Sequence, residues 1–296
     1  MRGSHPKMED QLVKEYVEGA SLNACSRKYH IQVPEVRKIL TNHGIHIRNR
    51  SEQNFYTNTS RAYTVNHAYF SKLTQENAYY IGFLAADGNV SSRSNAISLS
   101  LAVVDTPFVE EYKKNLDIKA PIKFDTFSRG GFEVANLTFS SAQAKRDLAK
   151  YSVVPRKTYI GTSMKNIPDE FKEAFVKGYF DGDGSFSHTK GTTTAILKIC
   201  SHTRGILDEF KEWFDKKFNG EFRSNIYKME RKPYAPLYSW EISTVPSIML
   251  LSSLYKLDTP CLSRKKKKFE DYLAFREENL DPRARTAFTN KAEKVC

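Results

Sequence analysis

Two stretches of this chain are near copies. Tyr79-Tyr80-Ile81-Gly82-Phe83-Leu84-Ala85-Ala86-Asp87-Gly88 and Phe175-Val176-Lys177-Gly178-Tyr179-Phe180-Asp181-Gly182-Asp183-Gly184 lie 96 residues apart. Each is an apolar run with a glycine five residues before an aspartate and a second glycine directly after it. Repetition at this level means a duplicated unit with one matched carboxylate per copy. That limits the fold to two halves that each start from the same element.

Read as helices, both stretches are apolar on most sides and belong in a protein interior. Thr74 is placed to cap the first, with Glu76 at its positive end. Pro168 opens the second, with Asp169 and Glu170 in its first turn. Gly88 and Gly184 fit a left-handed stop just past each helix. Gly82 and Gly178 fall inside the helices, where each costs ~1 kcal/mol relative to alanine. Close approach is the compensation: Gly82 with Ala86, and Gly178 with Gly182, put small residues four apart on one face. Two such faces let the backbones nearly touch and bring the C-terminal ends together. Asp87 and Asp183 then sit where the helix dipole disfavours an anion, and they repel each other. A divalent cation relieves both, with carboxylates and the carbonyls of Ala86 and Gly182 as hard oxygen ligands. A calcium loop starting at Asp181 or Asp183 needs a glutamate at its twelfth position; Thr192 and Thr194 stand there, which excludes it.

The two stretches resemble the signature of LAGLIDADG homing endonucleases in their two-motif form, where one chain supplies both halves. Gly178, Asp181, Asp183 and Gly184 match the pattern; in the first copy Ala85 stands where the family often has an aspartate. The resemblance covers roughly residues 74–275. It implies magnesium-dependent hydrolysis of both DNA strands, with Mn2+ or Ca2+ able to substitute for binding, and with Asp87 and Asp183 at the metal position. It also implies that Lys157 and Lys265 lie near the reacting phosphates, and that two free sheet faces form a saddle in the major groove. The expected partner is a long asymmetric double-stranded DNA site of about 20 base pairs or more, bound by a monomer.

The charge fits a polyanionic partner. Lysine and arginine number 46 against 34 aspartate and glutamate, a net charge of +12. No apolar run reaches the ~20 residues of a membrane span, and no hydrophobic signal segment opens the chain. The four cysteines, Cys25, Cys200, Cys261 and Cys296, are widely spaced without a Cys-x-x-Cys pair, as in a reducing compartment. The expectation is an intracellular protein, cytoplasmic or nucleoid-associated.

The fold class expected is α+β: two pseudo-symmetric αββαββα repeats forming a DNA-binding saddle, preceded by a small all-α helix-turn-helix domain. Residues 1–6 read as an expression leader, 7–50 as the helix-turn-helix, and 51–73 as a linker. Repeat 1 spans 74–157, an inter-repeat linker 158–167, repeat 2 168–275, and a tail 276–296. In the first domain Ser21 caps a second short helix, Pro34 opens a third and Gly44 stops it. Three short helices with a tight turn suit a helix-turn-helix, although such units also serve as protein contacts. The candidate DNA contacts here are Arg37, Lys38 and Asn42, with a basic arm at Arg48 and Arg50. In the second repeat they are Arg223, Asn225 and Tyr227 on one strand face, with Lys198 and His188 on neighbouring strands.

Other nuclease chemistries fit less well. Tyr80-Ile81-Gly82 and Tyr159-Ile160-Gly161 echo half of a GIY-YIG motif without the Gly-Ile-Tyr strand, and no histidine pair frames an asparagine. A domain excised from a self-splicing protein lacks flanking cysteine or serine junction blocks. The alternative that stays open is a non-cleaving nucleic-acid binder on the same scaffold, either an intron-RNA maturase or a transcriptional regulator.

Overall fold

The computed structural model describes residues 6–49, 52–53, 63–126 and 131–279, which fall into two compact units, one up to Tyr63 and one from Thr64. The first holds helices α1 (Pro6–Val17), α2 (Leu22–Tyr29) and α3 (Val33–Asn42). Leu12, Tyr16, Cys25, Val36, Ile39 and Leu40 form a core of its own. The amide of Ala24 donates to the Ser21 hydroxyl at 3.1 Å, the cap expected at α2. His30 takes a left-handed conformation with φ 52° at the end of α2, and the chain re-enters helix at Val33. Arg48 is spent inside this unit. Its guanidinium donates to the carbonyls of Tyr16 (2.6 Å) and Ala20 (2.7 Å) and stacks 3.9 Å above the Tyr16 ring. This corrects its assignment to a DNA-contacting arm; Arg50 lies outside the described residues.

The second unit is built twice over. Repeat 1 runs α4 (Gln75–Ala86), β1 (Asn89–Val90), β2 (Ala96–Ala102), a 3-10 turn (Val103–Asp105), α5 (Thr106–Asn115), β3 (Lys123–Thr126), β4 (Glu133–Ser140) and α6 (Ala142–Lys150). One short turn of helix, α7 (Lys157–Ile160), leads toward repeat 2. Repeat 2 runs α8 (Asp169–Asp183), β5 (Gly184–His188), β6 (Ala195–Ser201), α9 (Gly205–Lys217), β7 (Ser224–Arg231), β8 (Tyr234–Ser243), α10 (Thr244–Lys256) and α11 (Ser263–Asn279). Each repeat makes one antiparallel four-stranded sheet, in the orders β1-β2-β4-β3 and β5-β6-β8-β7. Period-two burial shows why one face packs: Ile97, Leu99 and Leu101 are buried on β2, as are Leu197 and Ile199 on β6, while alternate positions stay open. The fold is α+β, with two matched repeats after an all-α unit.

Residues 64–73, expected to be linker, belong to this unit. Val65 and Phe70 are buried in its core, the amide of Lys119 donates to the Thr64 carbonyl, and Ser71 donates to Asp147 at 2.6 Å. The segment is rich in polar residues, so its two apolar anchors gave no periodic signal.

Candidate active site

α4 and α8 lie against each other along the faces their glycines define. A Cβ on Gly82 would stand 2.0 Å from the Phe175 carbonyl oxygen, and one on Gly178 would stand 1.9 Å from that of Tyr79. A Cβ on Gly182 would meet the Ala86 Cβ at 2.4 Å and the Asp87 Cγ at 3.6 Å. Main chain therefore touches main chain, and the two helix ends finish side by side, each on an aspartate. Thr74 caps α4 as expected, in a reciprocal box with Asn77. Gly88 and Gly184 correct the expectation of a left-handed stop: Gly184 is extended at φ −82°, and neither has positive φ. They are glycines for space. A Cβ on Gly88 would lie 2.7 Å from the Leu84 carbonyl oxygen, and one on Gly184 would lie 2.5 Å from that of Phe180.

Asp87 and Asp183 are exposed residues at the two helix ends. The packed helix ends around them strip away water, and for Asp183 the neighbouring Asp87 charge adds to this, lifting its pKa to about 6. Asp87 is also raised by desolvation, against the pull of Lys265, Lys157 and Arg264. Two lysines close the site. Lys157 donates to the Ala86 carbonyl at 2.5 Å. Lys265 donates to the carbonyls of Phe180 (2.9 Å), Gly182 (2.8 Å) and Gly184 (2.5 Å). Burial pushes both ammonium groups down, Lys265 to about 8, with the aspartates opposing. Each lysine thus neutralises the carbonyl end of its own repeat's helix.

Among the described residues no three His, Cys, Asp or Glu side chains cluster as a ready-made metal cage. Two repelling carboxylates flanked by main-chain carbonyls nevertheless fit a hard cation of the kind that takes one or two protein carboxylates and completes its shell with phosphate and water. Ala86 and Gly182 supply those carbonyls, now held by the lysines. A cavity of about 140 Å³ opens beside Asp183, lined by Ala86, Lys157, Tyr179, Cys200, His202 and Leu237.

Further side chains shape the site in ways the motif does not announce. Asp181 is fully buried and accepts from the Tyr79 hydroxyl (2.7 Å), the Tyr255 hydroxyl (3.1 Å) and the Leu262 amide (2.9 Å). Buried Lys177, one turn earlier, donates to Thr259 Oγ1 at 2.8 Å and its carbonyl at 3.1 Å. Arg264 holds Asp105 of repeat 1 through both carboxylate oxygens at 2.9 Å. His202 borders the same cavity as Asp183. An acid and a base one turn apart in an apolar helix were a visible signal for Asp181 and Lys177; nothing in the linear text joins Asp105 to Arg264.

Among the candidate DNA contacts, Arg37, Lys38 and Asn42 are exposed on α3, and Arg223 is exposed one residue before β7. Asn225 and Tyr227 share the open face of the second sheet with Lys198, which is paired with Glu241 at 2.6 Å. His188 leaves that face. It is opposite Ala195, a core-side position, and its ring stacks on Phe275 at 5.4 Å. It directly follows Ser187, which is on the open face, and that parity sends it to the helix side.

The homing endonuclease I-DmoI in complex with DNA and Ca is similar over 66% of this chain and 94% of its own, at TM-score 0.42 and 15% identity. Full-length DUF199/WhiA from Thermatoga maritima is similar over 76% of this chain and 70% of its own, at TM-score 0.44 and 14% identity. An uncharacterized protein of Methanocaldococcus jannaschii is 24% identical over 192 residues, 61% of this chain and 66% of that protein's length. Residues 170–253, from the first turn of α8 into α10, match the family model described as a LAGLIDADG-like domain.

Proposed function

We propose that this protein is a site-specific endonuclease that hydrolyses both strands of a long, asymmetric DNA target with a divalent metal. One observation carries the reading: Asp87 and Asp183, one per repeat, end two abutting helices side by side, each beside a half-buried lysine. Two unlike repeats in one chain suit a monomer on a site without symmetry. The net charge of +12 favours the polyanion, and such a substrate places the protein with intracellular DNA.

Asp87 and Asp183, with the carbonyls of Ala86 and Gly182, would hold Mg2+, which supplies Lewis-acid polarisation of phosphoryl oxygens and an activated water. Mn2+ or Ca2+ would substitute in binding. Lys157 and Lys265 provide fixed positive charge where negative charge develops on the phosphate, without reorganisation. The open faces of the two sheets supply the saddle, with Arg223, Asn225, Tyr227 and Lys198 on the second. Arg37, Lys38 and Asn42 on α3 give the N-terminal unit a helix-turn-helix contact on one flank.

The second reading, a non-cleaving nucleic-acid binder, is favoured by Ala85 in the first motif and by lysines already bonded to the carbonyls a metal would use. Incubation with a randomised-site plasmid library and magnesium, followed by sequencing of cut ends, separates the two. Cleavage at one sequence family is expected. Asp87→Asn and Asp183→Asn should reduce linearisation to nicking or nothing while retaining gel-shift binding. Wild-type linearisation by both variants would remove the aspartates from the chemistry, and binding without cutting in any divalent metal would favour the second reading.

A further inference from the structure

The open faces of the two sheets differ in kind at matching positions. On the second, Cys200 lies opposite Ser239, which lies opposite Tyr227; in the adjoining row Leu237 faces Met229. Tyr227 and Met229 are 52% and 57% exposed, on the side away from the core. Cys200 and Leu237 also line the cavity beside Asp183, so this apolar stripe continues into the active site. The corresponding rows of the first sheet are Ser100, Asn136 and Lys123, then Ala102, Val134 and Asp125. Where repeat 2 presents a phenol and a thioether, repeat 1 presents an ammonium and a carboxylate.

We infer that the second sheet reads the C5-methyl groups of thymines in the base pairs nearest its cut, and that the first sheet reads its half by hydrogen bonding. This rests on the DNA-cleaving reading above. The methyl of thymine is the one apolar group among the donors and acceptors of the major-groove edges. Charge around the stripe suits groove walls: Arg223, Arg231 and Lys232 are exposed at the two ends of β7, while Lys198 beside the stripe is neutralised by Glu241. A groove floor meets the apolar centre, and phosphates meet the basic rim.

The test starts from duplexes selected for binding out of a random-sequence library in Ca2+. Deoxyuridine then replaces thymidine in one half of the selected site at a time, which removes only the methyl. A drop of about fourfold in affinity per methyl touched is expected in one half, with no change in the other. The Tyr227→Ser/Met229→Ser double variant, whose changes are at exposed positions, should melt like the parent and bind thymine and uracil duplexes alike. Equal drops in both halves, no drop in either, or persistent discrimination by the double variant would overturn the inference. So would a DNA-free dimer in light scattering that the double variant abolishes, since the stripe would then belong to a second copy. A library with no enriched sequence would overturn the DNA reading itself, and this inference with it.

Discussion

Asp183 is charged against its surroundings, and that has a measurable cost. Its pKa rises from an ordinary 3.8 to about 6 in the fold. The native state therefore binds more protons than the unfolded chain between those values. Stability is highest below about pH 4 with respect to this group and falls as pH rises through 6. Asp183→Asn removes the cost. In EDTA above pH 6 the variant should gain ~1 kcal/mol after discounting for the residue's exposure, or about 2–4 °C in Tm. The gain should vanish near pH 4, and a gain independent of pH in calorimetry would contradict the cause given. Gly178→Ala is the opposite case. Its Cβ would fall 1.9 Å from a main-chain oxygen that no rotamer change can move. A loss of ~3 kcal/mol or more by denaturant titration is expected, at the upper end of overpacking costs. Both sites were readable in the sequence because the motif occurs twice, with the same glycine-to-aspartate spacing. Arg48 was not. A lone arginine after a short helix has the same text whether it meets phosphate or, as here, the carbonyls of Tyr16 and Ala20.

Between elements, the turn from α10 to α11 separates the two repeats in character. Asp181 and Lys177 staple residues 257–262 to α8, and the turn leads directly to Arg264 and Lys265. Repeat 1 has Ile81 and Ala85 at the matching positions and no such staple. Asp181→Ala takes the acceptor from the Tyr79 and Tyr255 hydroxyls and the Leu262 amide, and removes the negative charge near the buried Lys177 ammonium. The expected loss is ~3–5 kcal/mol, with Asp181→Asn intermediate, read by chemical denaturation. A change under ~1 kcal/mol would mean that solvent reaches the turn. The order of helices and strands was legible from periodicity as far as the helix that closes each repeat, with room left for a short strand after each motif helix; α11 was missed, because its first turns, Arg264 to Lys268, read only as basic text. Strand parity was harder: His188 fell on the wrong face because its strand is only five residues long, and one step decides the side.

At the scale of the whole chain, the N-terminal unit has its own buried centre, so removing residues 1–63 should leave the melting of the remainder unchanged. If α3 touches DNA, truncation should weaken binding and flatten its salt dependence by about 0.9 for each phosphate that Arg37 and Lys38 had neutralised. The protected footprint should shorten on one flank, with the cleavage position retained. An unchanged footprint and slope would assign this unit to a protein contact or to none. The boundary between the units was misplaced in the sequence by about ten residues because a polar segment with two anchors, Val65 and Phe70, has no period to read. The packing of α4 on α8 has a last consequence. Asp87 and Asp183 are spaced by main chain pressed on main chain, so the pair acts as a ruler whose length no side-chain exchange on the sheets can alter. For the proposed nuclease, variants retargeted to new sequences should leave overhangs of the same length as the parent's.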